Sequence, residues 1–168
     1  MTVVRRTSSV LVMGLLIGAV GGAALGVLWW RLAPRVSVVV RPDTVFPATY
    51  QPDGYIAADV AFAVLALVAG IAVTIGLIRM RREHLIASLF ASLLAGCVGS
   101  GLMWFVGTRL GHVDIEGLSA TITDKVTVDA PLQLTMPAVL LVWPIAAALV
   151  VTVVALVEWV GDVRRSER

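Results

Sequence analysis

Long apolar runs separated by short polar or charged stretches dominate the chain. Four of them, at about residues 9–30, 57–78, 85–107 and 136–157, have no charge in their middles. A helix needs roughly 20 apolar residues to cross about 30 Å of hydrocarbon. The pattern therefore predicts an all-α membrane protein, a single domain over residues 1–168 built as a bundle of four transmembrane helices. Between the runs lie two polar segments, about residues 31–56 and 108–135, and one short link, Arg79-Met80-Arg81-Arg82-Glu83-His84. That link has room only to turn, so spans two and three form an antiparallel hairpin. Span, polar segment, span, short turn is a coarse order that then repeats, with no residue-level repeat behind it.

The charges orient this layout. Arg5 and Arg6 precede the first span, Arg79, Arg81 and Arg82 sit in the short link, and Arg164, Arg165 and Arg168 end the chain, which makes eight of the 13 basic residues. The two longer segments hold the other five and, counting Asp59 at the boundary, seven of the 11 acids. Cytoplasmic loops carry the excess of Lys and Arg. Both termini and the link are therefore expected in the cytoplasm, with the longer segments outside. The opening pair of arginines also fits a secretory signal. Its apolar stretch of about 22 residues is too long for a signal core of 7 to 15, and an uncleaved first span is the expectation. Trp29, Trp30 and Trp104 fall near the outer interface and Trp159 near the inner one, the places that favour a ring with one wet edge.

Small residues suggest how the spans pack. Gly14, Gly18, Gly22 and Gly26 recur every four positions in the first span, giving three overlapping GxxxG units on one helix face. In lipid, association depends on close backbone approach, which glycine permits. The third span carries two adjacent rows, Ala87, Ala91, Ala95 and Gly99 beside Ser88, Ser92, Gly96 and Ser100. Spans one and three are therefore the expected closest pair, packed within the monomer, with a homo-oligomer through the glycine face as the alternative. Pro144 removes a backbone donor from the outer third of the fourth span and predicts a kink there.

The outer segments read as a small β-rich cap. Val36-Ser37-Val38-Val39-Val40 is β-branched and flanked by prolines. Ser119 to Ile122 and Val126 to Asp129 read as two strands joined at Thr123-Asp124-Lys125, while Pro42-Asp43 and Pro52-Asp53-Gly54 read as turns. His112, Asp114 and Glu116 would share one face of a strand and are weak candidates for a divalent cation, against a solvated face backed by Val113 and Ile115. Asp59 reads as an N-terminal cap of the second span, favoured by the helix dipole. Glu158 lies at the cytoplasmic end of the fourth span, within reach of Arg164 or Arg165.

Composition agrees with this picture. Hydrophobic residues make up 59% of the chain and charged ones 14%, more apolar surface than a soluble core can hide. The net charge of +2 comes with no basic stripe, which argues against nucleic acid as a partner. The single cysteine, Cys97, excludes an intrachain disulfide. The spans hold no charge at their midplane, which counts against active transport. Ser88, Ser92, Ser100, Thr74 and Thr152 can bond to their own helices and so do not define a pore. No nucleophile with a matched base, no HExxH and no phosphate loop is present, so no catalytic residue, enzyme activity or cofactor is expected.

The glycine-rich first span ending Leu28-Trp29-Trp30-Arg31-Leu32-Ala33-Pro34, the later Val128-Asp129-Ala130-Pro131-Leu132 and the four-span layout resemble a family of small uncharacterised membrane proteins of mycobacteria and related actinobacteria. The resemblance implies an actinobacterial inner membrane and assigns no activity. The function expected is a non-enzymatic accessory or scaffold protein of the cell envelope, docked in the bilayer on another membrane protein. The alternatives are a small oligomeric channel or permeability factor and a sensor whose outer cap binds a ligand or cation.

Overall fold

The computed structural model describes residues 2–41, 44–47, 52–80, 85–121 and 124–166. Within them the chain runs α1 (Thr2–Leu32), β1 (Ser37–Arg41), β2 (Thr44–Pro47), α2 (Pro52–Met80), α3 (Leu85–Leu110), α4 (Ile115–Thr121), β3 (Val126–Asp129), a 3-10 turn (Pro137–Leu141) and α5 (Val142–Ser166). Four helical segments are long and apolar enough to cross a membrane: Val10–Leu32, Ile56–Met80, Ala87–Leu110 and Pro137–Ser166. The hairpin link at 81–84 lies outside the described residues.

Helices α1 and α3 make the most extensive contact in the bundle. Gly14 faces Ala91, Gly18 faces Ala95, Gly22 faces Gly99 and Gly26 faces Met103, a constant register that makes the two helices parallel. A Cβ at Gly14, Gly18 or Gly26 would lie 2.7, 2.5 or 2.7 Å from the carbonyl oxygen of Ala91, Ala95 or Met103, and one at Gly22 would press still harder on that of Gly99. The seam is thus backbone against backbone. It covers the glycine face of α1 with a helix of the same chain.

Helix α5 packs on α2 and α3. Trp143 and Pro144 wedge against Gly70, Gly96 and Gly99, with Pro144 backbone atoms 3.0 Å from a Cβ at Gly96. The expected kink in the outer third takes another form. Pro144 occupies the first turn of α5, where its ring would clash with the carbonyl four residues earlier if the α-helix continued backward. The preceding residues, Pro137–Leu141, adopt a tighter 3-10 turn instead.

The strands form one antiparallel sheet in the order β2-β1-β3. Val38 pairs with Pro47 on one side and Val128 on the other. Alternation along β1 buries Val38 and Val40 with Val36 and Ala130, against which Ile115 of α4 and Val128 pack. Two local readings need correction. Residues 119–121 belong to α4, because Asp114 Oδ1 accepts the Gly117 amide at 2.9 Å and starts a helix, so β3 pairs with β1 and not with them. Pro52-Asp53-Gly54 opens α2 and is not a turn, proline being well suited to the first turn of a helix. The Pro42-Asp43 turn lies outside the described residues. Replacing Asp114 by Ala should loosen α4 by about 1 kcal/mol, seen as faster amide exchange across 115–121.

Candidate functional site

The sheet, α4 and the segment 130–136 all lie at the bundle end where α1 and α3 finish and where α2 and α5 begin. At that end segment 130–136 forms a strap fixed at four backbone donors. Ala130 N donates to Val36 O at 2.7 Å and Leu132 N to Gly111 O at 3.0 Å. Thr135 N and Met136 N donate to the two carboxylate oxygens of Asp59, at 3.0 and 2.8 Å. Asp59 is therefore no cap of α2, which begins seven residues earlier, but a buried acceptor, 3% exposed, that ties α2 to the lead-in of α5. A carboxylate suits this position because the strap offers two adjacent amides that a bilayer would leave unsatisfied.

Beneath the strap lies a core of Trp29, Ala58, Phe62, Met103, Leu132 and Trp143. Trp29 is fully buried, which corrects its placement in an interfacial belt. Gly107 gives its ring room against α3, its Nε1 donates to Ala58 O at 2.9 Å, and it meets Phe62 edge to face at 5.1 Å between centroids. Trp104 and Trp159 are exposed, and Trp30 is half-buried beneath the guanidinium groups of Arg31 and Arg35. Trp29→Phe should cost about 0.5–1.5 kcal/mol through the lost indole hydrogen bond to Ala58 O, which keeps its place in the α2 helix, read as a lower melting temperature in mild detergent.

Between the strap and the end of α3 is a recess of about 410 Å³, lined by Trp104, Thr108, His112, Pro131, Leu132, Gln133 and Leu134. The Thr108 hydroxyl donates to Trp104 O at 2.8 Å, and the exposed polar side chains on the lining include His112 and Gln133. The strand that would align His112, Asp114 and Glu116 on one face does not form. His112 lies in the loop after α3, Asp114 is spent on Gly117, and Glu116 falls within α4, so the three do not alternate along a strand. No group of three or more metal-ligating side chains occurs among the described residues.

No protein-family model, curated protein or solved structure matches the chain.

Further into the bundle, Ser88, Ser92 and Ser100 of α3, Thr74 of α2 and Trp143 Nε1 are buried without a hydrogen-bond partner. Only Thr152 makes the bond to its own helix expected of these hydroxyls, to Ala148 O at 2.8 Å. The serine row turns inward beside Gly96, where Trp143 and Pro144 close the space. Of the arginines expected to set topology, Arg79 and Arg164 are exposed without an ion pair among the described residues, and Arg165 pairs with Asp162 at 3.6 Å. Arg5 and Arg6 fall in the first turns of α1, and Arg81 and Arg82 lie outside the described residues. The Asp59 clamp was missed by sequence reasoning. Its one signal was an acid inside the boundary of an apolar run.

Proposed function

We propose that this chain is a non-enzymatic accessory or scaffold protein of a cell envelope, a four-span bundle that docks on a larger membrane complex. The observation that carries the reading is the strap. Four backbone anchors and a buried carboxylate hold a recess of fixed shape at the sheet end, an arrangement suited to presenting a surface and not to moving a solute. In this reading both termini are cytoplasmic, the sheet is an outer cap, and His112, Gln133 and Trp104 offer the contact. The sequence resemblance would place it in an actinobacterial inner membrane. Purification in mild detergent with a photoreactive residue at Gln133, followed by mass spectrometry, should yield a stoichiometric partner crosslinked there. Recovery of this chain alone would sink the proposal.

One observation favours a channel instead, the unpartnered hydroxyls of Thr74, Ser88, Ser92 and Ser100. Trp143 would then be its plug, and Trp143→Ala should permit ion flux in reconstituted vesicles. An oligomer would have to form elsewhere than on the glycine face, which α3 covers.

A further inference from the structure

Helix α5 is pinned to the bundle at one level only. Small residues, Gly70 and Gly96 with Ala146 and Ala147, let it approach α2 and α3 closely there. Beyond Val151 it has no fully buried residue through Ser166, whereas α2 still buries Leu77 and Ile78 in its last turns. The apolar side chains lining the space past the crossing point are β-branched: Ile75 and Ile78 on α2, Val153, Val154 and Val157 on α5. They line an open groove of about 450 Å³ between the two helices.

The walls are aliphatic and the end is not. Arg79 and Glu158 complete the lining, one from each helix. Both lie at the bundle end opposite the sheet, where α2 and α5 finish. Neither makes an ion pair or a hydrogen bond with a described residue. With the four helices set across a bilayer as proposed, this groove faces acyl chains and its charged end falls toward the headgroups. A cation and an anion lining the end of one groove match a headgroup carrying both charges. A phosphodiester suits the guanidinium, and a primary ammonium can donate hydrogen bonds to the carboxylate. A headgroup with phosphate alone would leave Glu158 facing like charge. A quaternary amine would bring charge without a donor.

We propose that the α2–α5 groove binds one amine-bearing glycerophospholipid. An acyl chain lies on Ile75, Ile78, Val153, Val154 and Val157, the phosphate rests on Arg79, and the ammonium rests on Glu158. The lipid fills the wedge and braces the free end of α5.

The test is native mass spectrometry of the purified chain titrated with dioleoyl phosphatidylethanolamine, phosphatidylcholine or phosphatidylglycerol. One molecule of the ethanolamine lipid should be retained, with about tenfold preference over the other two, the size expected of one charge-assisted contact of about 1.4 kcal/mol. Arg79→Gln should weaken retention of all three. Glu158→Gln should erase the preference and leave residual binding through Arg79. Both side chains are exposed, so circular dichroism should show these variants folded. Val154→Trp, which fills the groove, should reduce retention of every lipid. Equal retention of the three lipids, strongest retention of phosphatidylglycerol, or a preference that survives Glu158→Gln would each overturn the proposal.

Discussion

Replacing Gly18 and Gly22 together by Leu should abolish the folded monomer. At both positions a Cβ already meets the α3 backbone, at 2.5 Å from Ala95 O for Gly18 and closer still to Gly99 O for Gly22. A carbonyl cannot rotate aside as a side chain can, so α1 and α3 must separate along the seam. Even Gly22→Ala should destabilise by about 1–3 kcal/mol, the usual cost of overpacking. Helix propensity pushes the other way, since alanine is better than glycine inside a helix by roughly 0.5–1 kcal/mol, so the sign of the result decides which effect wins. Gly76 supplies the control because a Cβ there meets nothing within 4 Å, and Gly76→Ala should be neutral or stabilising. Size-exclusion chromatography after a thermal ramp in mild detergent reads all three variants. Survival of a stable monomer with Gly18→Leu/Gly22→Leu, with loss of only a larger assembly, would instead assign the glycine face to contact between copies.

Asp59→Ala should be the most damaging single replacement of a polar residue. It removes both acceptors from the Thr135 and Met136 amides, and the carboxylate itself is buried although its two bonds are part-buried. Hydrogen bonds to a charged group contribute about 1.5–3 kcal/mol each, so a loss of about 3–5 kcal/mol follows, some of it returned as the strap lifts to reach water. Asp59→Asn keeps one carbonyl oxygen and sets an NH₂ against the other amide, so it should recover less than half of that loss. Amide exchange at Thr135 and Met136 should accelerate in both variants, ahead of exchange in the α1–α3 seam. Unchanged exchange at these two positions would mean that the carboxylate does not hold the strap.

The four long helices were legible because lipid imposes a length and an apolarity that a sequence shows directly. The glycine period of α1 and the small-residue row of α3 are equally visible as patterns. Their one-to-one register is not, because it depends on the relative height of two helices separated by α2. Local chemistry near the sheet was harder. The stretch from His112 to Ile122 alternates like a strand, yet a single hydrogen bond from the Gly117 amide to Asp114 turns its centre into helix. Trp29 and Trp30 are neighbours of one type at one end of one span, and the space left by Gly107 together with the contacts to Ala58 and Phe62 buries the first while the second stays half-exposed. Asp59 looked like a cap because it stands near the start of an apolar run. The helix begins well before it, and its partners come from more than 70 residues away. The groove between α2 and α5 has no local signature either, since Arg79 and Glu158 are brought to it by the course of two helices distant in sequence.

In the proposed setting the bundle lies in lipid with its sheet on one side and the ends of α2 and α5 on the other. Single cysteines in a Cys97→Ser background, labelled in sealed vesicles of known orientation by a membrane-impermeant maleimide, test it most directly. Gln133→Cys should react from one side only, and Met80→Cys and Ser166→Cys from the other only. Labelling of Gln133→Cys and Ser166→Cys from the same side, or of Met80→Cys and Ser166→Cys from opposite sides, would contradict the account.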